Sequence, residues 1–137
     1  MNMRIAAACV LAVIIPALAY AGAAQKPVLD AYAAQAKAEQ AGFAGFSVER
    51  GKAFFLAKHD ASAETPSCTT CHTNDPTKPG QTRAGKDVAP MAVSKTQDRF
   101  TDAEKVEKWF TRNCQSVVGR ACTAQEKGDF ITFMASL

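Results

Sequence analysis

The 137 residues contain no apolar run long enough to span a bilayer, no alternating run of strand length, no internal repeat and no strong excess of either charge. A membrane-spanning helix needs about 20 apolar residues in succession, and the apolar stretch Ile5 to Leu18 has 14. It follows Arg4 and runs into small residues with two A-x-A sites, Ala19-Tyr20-Ala21 and Gly22-Ala23-Ala24. That pattern is a secretory signal over residues 1–24, cleaved after Ala21 or Ala24. Cys9 sits inside it without the branched residues of a lipoprotein site. The absence of alternating runs excludes a sheet fold and leaves an all-α domain over 25–137. With Arg4 set aside, 15 Lys and Arg stand against 13 Asp and Glu, a balance of +2. That excludes nucleic acid and anionic membrane surfaces as natural partners. Histidine is scarce too, with only His59 and His72.

Helical signals fill most of what remains. The Ala-rich segment Val28 to Gln40 reads as a first, largely exposed helix. Gly42 and Gly45 interrupt it, and Ser47 is placed to cap a second helix over about Val48 to Lys58. In that helix Gly51 and Phe55 share a face, an arrangement that lets another helix approach closely. Thr101-Asp102-Ala103-Glu104 reads as a capping box opening a third helix, with Val106, Trp109, Phe110 and Asn113 along one face. A second box, Thr123-Ala124-Gln125-Glu126, opens a last helix with the stripe Phe130, Phe133, Met134 and Leu137. Between Asp60 and Gln97 there is no sustained period, and Pro66, Pro76, Pro79, Gly80, Gly85 and Pro90 interrupt the chain. So long an irregular stretch does not suit a small domain unless something other than protein fills the core.

Cys68-Thr69-Thr70-Cys71-His72 names that filling. Haem attachment takes two thiols within reach of the vinyl groups and an imidazole within reach of the iron, and C-x-x-C-H supplies all three on one turn. The chemistry takes place outside the cytoplasm, in accord with the export signal. A thioredoxin-like site would need a strand-to-helix junction that is absent. A zinc site would need paired ligand spacing that is also absent, and a plain Cys68–Cys71 disulfide leaves His72 unexplained. Cys114 and Cys122, eight residues apart, need a separate explanation.

The iron's sixth position decides between electron transfer and ligand binding. Met91 is the first candidate, because His/Met ligation is common among electron carriers. Met134 belongs to a core stripe, and His59, at the end of the second helix, reads as a solvated residue. Asn113 extends the Val106-Trp109-Phe110 face, though pattern alone favours a helix C-cap there. Should Cys114 bond to Cys122, the end of that helix would be tied to the start of the next.

The run Cys68–His72, together with Arg99-Phe100-Thr101-Asp102, Val106-Glu107-Lys108-Trp109, Arg112-Asn113-Cys114 and Gly119-Arg120-Ala121-Cys122-Thr123, resembles the Sphaeroides haem protein family. Its members are oxygen-binding class I monohaem cytochromes c related to the DUF1924 domain. The resemblance covers most of the exported chain and is densest from Gly51 onward. It implies a class I cytochrome c fold around one covalent haem c, with His72 and Asn113 as iron ligands and a Cys114–Cys122 disulfide. It also implies an Asn that leaves the iron on reduction so that O2, NO or CO can bind. Electron donors among dihaem cytochromes c and membrane b-type cytochromes, and a periplasmic location, follow from the same resemblance. A His72/Met91 electron carrier and a small haem peroxidase or reductase are the alternatives, and a redox and ligand-binding protein fits better than a dedicated enzyme. Arg83, Lys86 and Trp109 are candidates for the haem propionates, with surface charge and core packing as equal explanations.

Overall fold

The computed structural model of the protein describes residues 22–59 and 61–137. Residues 1–21 of the expected leader lie outside the described residues. A short 3-10 turn, Ala23–Gln25, enters α1 (Lys26–Glu39), followed by α2 (Val48–Leu56) and the single turn α3 (Thr69–His72). Two strands of two residues each, β1 (Gly80–Gln81) and β2 (Asp87–Val88), pair antiparallel with Gly80 opposite Val88. Then come α4 (Ala103–Asn113), a π-helical segment Cys114–Val118, and α5 (Ala124–Ala135). The class is all-α, as the missing alternation requires.

α5 is the axis on which the other long helices pack. Its capping box is complete: Glu126 N–H donates to the Thr123 hydroxyl at 3.1 Å, and Thr123 N–H donates back to the Glu126 carboxylate at 2.9 Å. Neighbours surround it, so Ile131 and Asp129 are buried along with Phe130, Phe133 and Met134. The Asp129 charge is tolerated because Arg50 Nε and Nη2 reach it at 2.7 and 2.8 Å and Ser47 N–H at 2.7 Å.

α2 starts where Ser47 Oγ accepts from Arg50 N–H, and it stops at Leu56, two residues before the expected end. Beyond it the chain turns back, with His59 N–H donating to the Pro66 carbonyl at 2.6 Å. The crossing of α2 on α5 depends on Gly51, where a Cβ would stand 2.0 Å from the Asp129 carbonyl oxygen. One turn on, Phe55 is fully buried, with Phe130 and Phe133 each 6.0 Å away between ring centroids.

α1 is largely exposed, as expected, with Val28, Tyr32 and Ala36 as a buried stripe against the rest of the bundle. Alanine-rich sequence hides the stripe, since its small side chains give little contrast between faces. The Tyr32 hydroxyl donates to Glu107 at 2.8 Å, and Lys127 Nζ reaches the same carboxylate at 2.7 and 2.9 Å. This cluster joins α1, α4 and α5.

The cap of α4 is Asp102 rather than Thr101. Lys105 N–H donates to the Asp102 carboxylate at 3.0 Å, while the Thr101 hydroxyl donates to the Asp98 carbonyl at 2.7 Å. The α4 stripe also divides. Val106 and Phe110 enter the core, whereas Trp109 is 48% exposed and Asn113 is exposed. The four positions cover a broad arc, and only one edge of it meets α1 and α5.

Candidate haem site

Local sequence makes α3 a one-turn platform. Thr69 N–H and the Thr69 hydroxyl both bond the Ser67 Oγ, at 3.2 and 3.0 Å, and His72 N–H closes the turn on the Cys68 carbonyl at 3.1 Å. Positions three and four residues apart on a helix are neighbours on one face, so Cys68, Cys71 and His72 converge. Thr73 then adopts φ 60°, and the chain leaves the turn at once. β1 lies directly on this platform: a Cβ on Gly80 would stand 1.9 Å from the Cys71 carbonyl oxygen.

The three side chains have the character the motif calls for. Cys68 and Cys71 are free, half-buried thiols. Burial pushes the Cys68 thiol up to about 11, so it is held in the thiol form. Burial, then the nearby charge of Arg99, pulls His72 down to about 4 and keeps its imidazole neutral, the form that binds a metal. His72 Nδ1 is a buried polar atom without a hydrogen-bond partner. Two thiols and a neutral imidazole on one face suit a covalently attached porphyrin. Among the described residues no group of three or more His, Cys, Asp or Glu converges as a metal cage.

The other sequence-derived candidates separate clearly. Asn113 closes α4 at the point where the winding changes from α to π; it is exposed, and its carboxamide makes no hydrogen bond among the described residues. Cys114, the next residue, is joined to Cys122 by a disulfide with Cα atoms 5.7 Å apart. The chain leading to Cys68 leans on this segment, since the Thr65 hydroxyl donates to the Ser116 carbonyl at 3.4 Å. Met91 is buried in the core, its N–H bonded to the Pro76 carbonyl four residues past His72. Met134 is fully buried. His59 differs from its expected solvated state, for its Nε2 is buried without a partner and its ring lies 5.4 Å from that of Phe54. Arg83 pairs with Glu64 and the Lys86 side chain is exposed, while Arg112 stacks over Trp109 at 5.7 Å. Sequence reasoning missed Arg99 as a partly buried residue. A surface-type side chain in an irregular segment carries no periodic signal of burial.

Comparison with known proteins places the chain. Residues 41–134 match the family described as Domain of unknown function (DUF1924). The cytochrome c-type protein SHP of Cereibacter sphaeroides is 52% identical over 99 residues, covering 72% of this chain and 77% of that protein. The solved structure of oxidised SHP, an oxygen-binding cytochrome c, is similar with a TM-score of 0.76 and 46% identity, over 82% of this chain and 96% of that one. The solution structure of Methylophilus methylotrophus cytochrome c'', concerned with haem-ligand detachment, gives a TM-score of 0.72 and 30% identity over 82% and 93%. With its one-turn platform, its glycine-mediated helix crossing and these relatives, the chain belongs to the Sphaeroides haem protein family, class I monohaem cytochromes that carry covalent haem c.

Proposed function

We propose that Cys68 and Cys71 hold the haem through thioethers, with His72 as one axial ligand and Asn113 as the other in the oxidised protein. When bound, the haem supplies a one-electron couple and an iron position at which diatomic gases bind. Asn113 leaves on reduction and gives access to O2, NO or CO. A carboxamide oxygen is a hard, weak donor, better matched to Fe(III) than to Fe(II), whereas a thioether holds the reduced metal. The observation that carries the reading is the pairing of an unbonded Asn113 carboxamide with a buried Met91. Asn113 stands free at a junction pinned by the Cys114–Cys122 bridge. Met91 is committed to the core beside the His72 platform. An oxygen-binding relative and one known for ligand detachment support the same reading.

The working compartment is the periplasm, with electrons supplied by a dihaem cytochrome c or a membrane b-type cytochrome. Export removes residues up to Ala21 rather than Ala24. Gln25 is 1% exposed, its N–H bonds the Gly22 carbonyl at 3.1 Å, and its amide nitrogen is bonded within the fold. An N-terminal Gln cyclises by expelling that nitrogen. Intact mass should show a mature chain that begins at Gly22 and carries one haem.

Absorption spectra of the oxidised and reduced holoprotein test the ligand assignment. The oxidised form should be low-spin and the reduced form five-coordinate and high-spin, binding CO without a slow displacement step. Asn113→Ala should open the position in both states, and Met91→Leu should change neither spectrum. A reduced wild type that stays low-spin, refuses CO and responds only to Met91→Leu overturns the proposal in favour of a plain electron carrier.

A further inference from the structure

Asn113 ends a helix whose continuation is wound more widely than the rest. Cys114–Val118 is π-helical, and the Gly119 N–H reaches back to the Cys114 carbonyl at 3.0 Å. A single π turn is uncommon and is found most often at functional sites. Gly119 closes the turn at φ 78°, in the left-handed region. A Cβ there would stand 2.8 Å from the Ala61 Cβ, so the chain before the attachment turn packs directly on this segment.

Ser116, in the middle of the turn, bonds in both directions. Its hydroxyl donates to the Asn113 main-chain carbonyl at 3.2 Å. Its own carbonyl accepts from the Thr65 hydroxyl at 3.4 Å. A serine near a helix end commonly bonds a carbonyl one turn back. What is particular here is the second bond, to a residue 51 positions away in the chain. Thr65 belongs to a loop that is itself closed. His59 N–H donates to the Pro66 carbonyl at 2.6 Å, and the Ser62 hydroxyl accepts from the Glu64 and Thr65 N–H groups, each at 3.2 Å. Pro66 stands just ahead of Ser67 and Cys68. Through Ser116, the backbone of Asn113 is braced against the chain that leads into the attachment turn. Ser116 and Asn113 are both exposed, so these bonds exchange readily with water. Bonds of that strength hold a residue in register without locking it.

We propose that Ser116 is a positioning residue for Asn113, holding its backbone so that the carboxamide lies ready for the oxidised iron. The inference rests on Asn113 as the departing ligand and adds how its position is held. A tethered donor competes with an outside ligand in proportion to its effective concentration at the site. Loosening the tether lowers that concentration while Asn113 is bound, and leaves untouched the state in which it has left. Ser116 therefore sets how well the oxidised protein excludes small ligands, and not how well the reduced protein takes up a gas.

Cyanide titration of the oxidised holoprotein and CO titration of the reduced holoprotein, both followed by absorption, test this. Ser116→Ala should raise the cyanide affinity by about threefold to tenfold, the range for one hydrogen bond, and leave the CO affinity unchanged. Ser116→Thr keeps the hydroxyl and should behave as the wild type. Thr65→Val should act in the same direction as Ser116→Ala by a smaller factor. In an Asn113→Ala background the cyanide affinity should already be high, and adding Ser116→Ala should not move it. A cyanide affinity unmoved by Ser116→Ala overturns the inference. So does an equal shift in CO affinity, or a shift that persists in the Asn113→Ala background. Failure of the Asn113 reading shows differently: Asn113→Ala alone would then leave the cyanide affinity and the oxidised spectrum at their wild-type values.

Discussion

Two regions of the molecule hold their shape by different means. The helical layer of α1, α2, α4 and α5 interlocks through side chains: Phe55 among Phe130 and Phe133, Phe110 against Tyr32 and Phe130, and charges neutralised where they are buried. The irregular region from Ala57 to Thr101 is held chiefly by backbone and capping hydrogen bonds. Pro76 O takes two N–H groups, Pro90 O takes a hydroxyl and a guanidinium, and a two-residue ladder is its longest regular pairing. The difference teaches a division of labour. The helices make a protein, and the irregular region makes a mould for a group that is not protein.

The comparison can be attacked most strongly at Phe55. Removing this fully buried ring should cost about 3–5 kcal/mol, read as a lower denaturation midpoint of the holoprotein with unchanged haem spectra. A sharper test makes the same chemical change on each side. Gly51→Ala and Gly80→Ala each drive a methyl group against a carbonyl oxygen, at 2.0 and 1.9 Å. Gly51→Ala should lower stability by about 1–3 kcal/mol and leave the spectra alone. Gly80→Ala pushes on the Cys71 carbonyl and should disturb the His72 signals with a smaller change in denaturation midpoint. If the two variants gave the same readout, the division into two regions would be wrong.

Smallest of the expected effects is the acid response of the helical layer. Burial works to raise the Glu107 carboxyl, but hydrogen bonds from Lys127 and Tyr32 outweigh it and hold the group below its ordinary range. Glu126 is held low chiefly by Arg120. A depressed carboxylate contributes stability that is complete above its unfolded pKa and is lost as pH falls through the folded one. Thermal unfolding should therefore show constant Tm contributions from these groups near neutrality and a decline below the usual carboxylate range. Glu107 is half exposed, so solvent screening limits its share. Glu107→Gln should flatten the decline only slightly.

Much of the helical layer and of the attachment turn is legible in the sequence, because both are written in local code. Ser47 and Thr123 announce helix starts, Gly51 and Phe55 announce a crossing, and C-x-x-C-H names its cofactor. What escapes is long-range. The buried face of α1 is hidden in a segment where five of 14 residues are alanine. The displaced cap at Asp102 depends on Thr101 being engaged by Asp98, a competition between neighbours that a pattern does not record. The backbone at Arg99 is held by Gln25, more than seventy residues away in the chain.

The Tyr32–Glu107–Lys127 cluster has an optical consequence. The protein has two tyrosines, and Tyr20 precedes the proposed processing site, so the mature chain keeps one phenol. Burial first, then the hydrogen bond to Glu107, raises its ionisation well above that of a free tyrosine. Phenolate absorbance appearing in moderately alkaline solution would therefore report α1 coming away from the bundle.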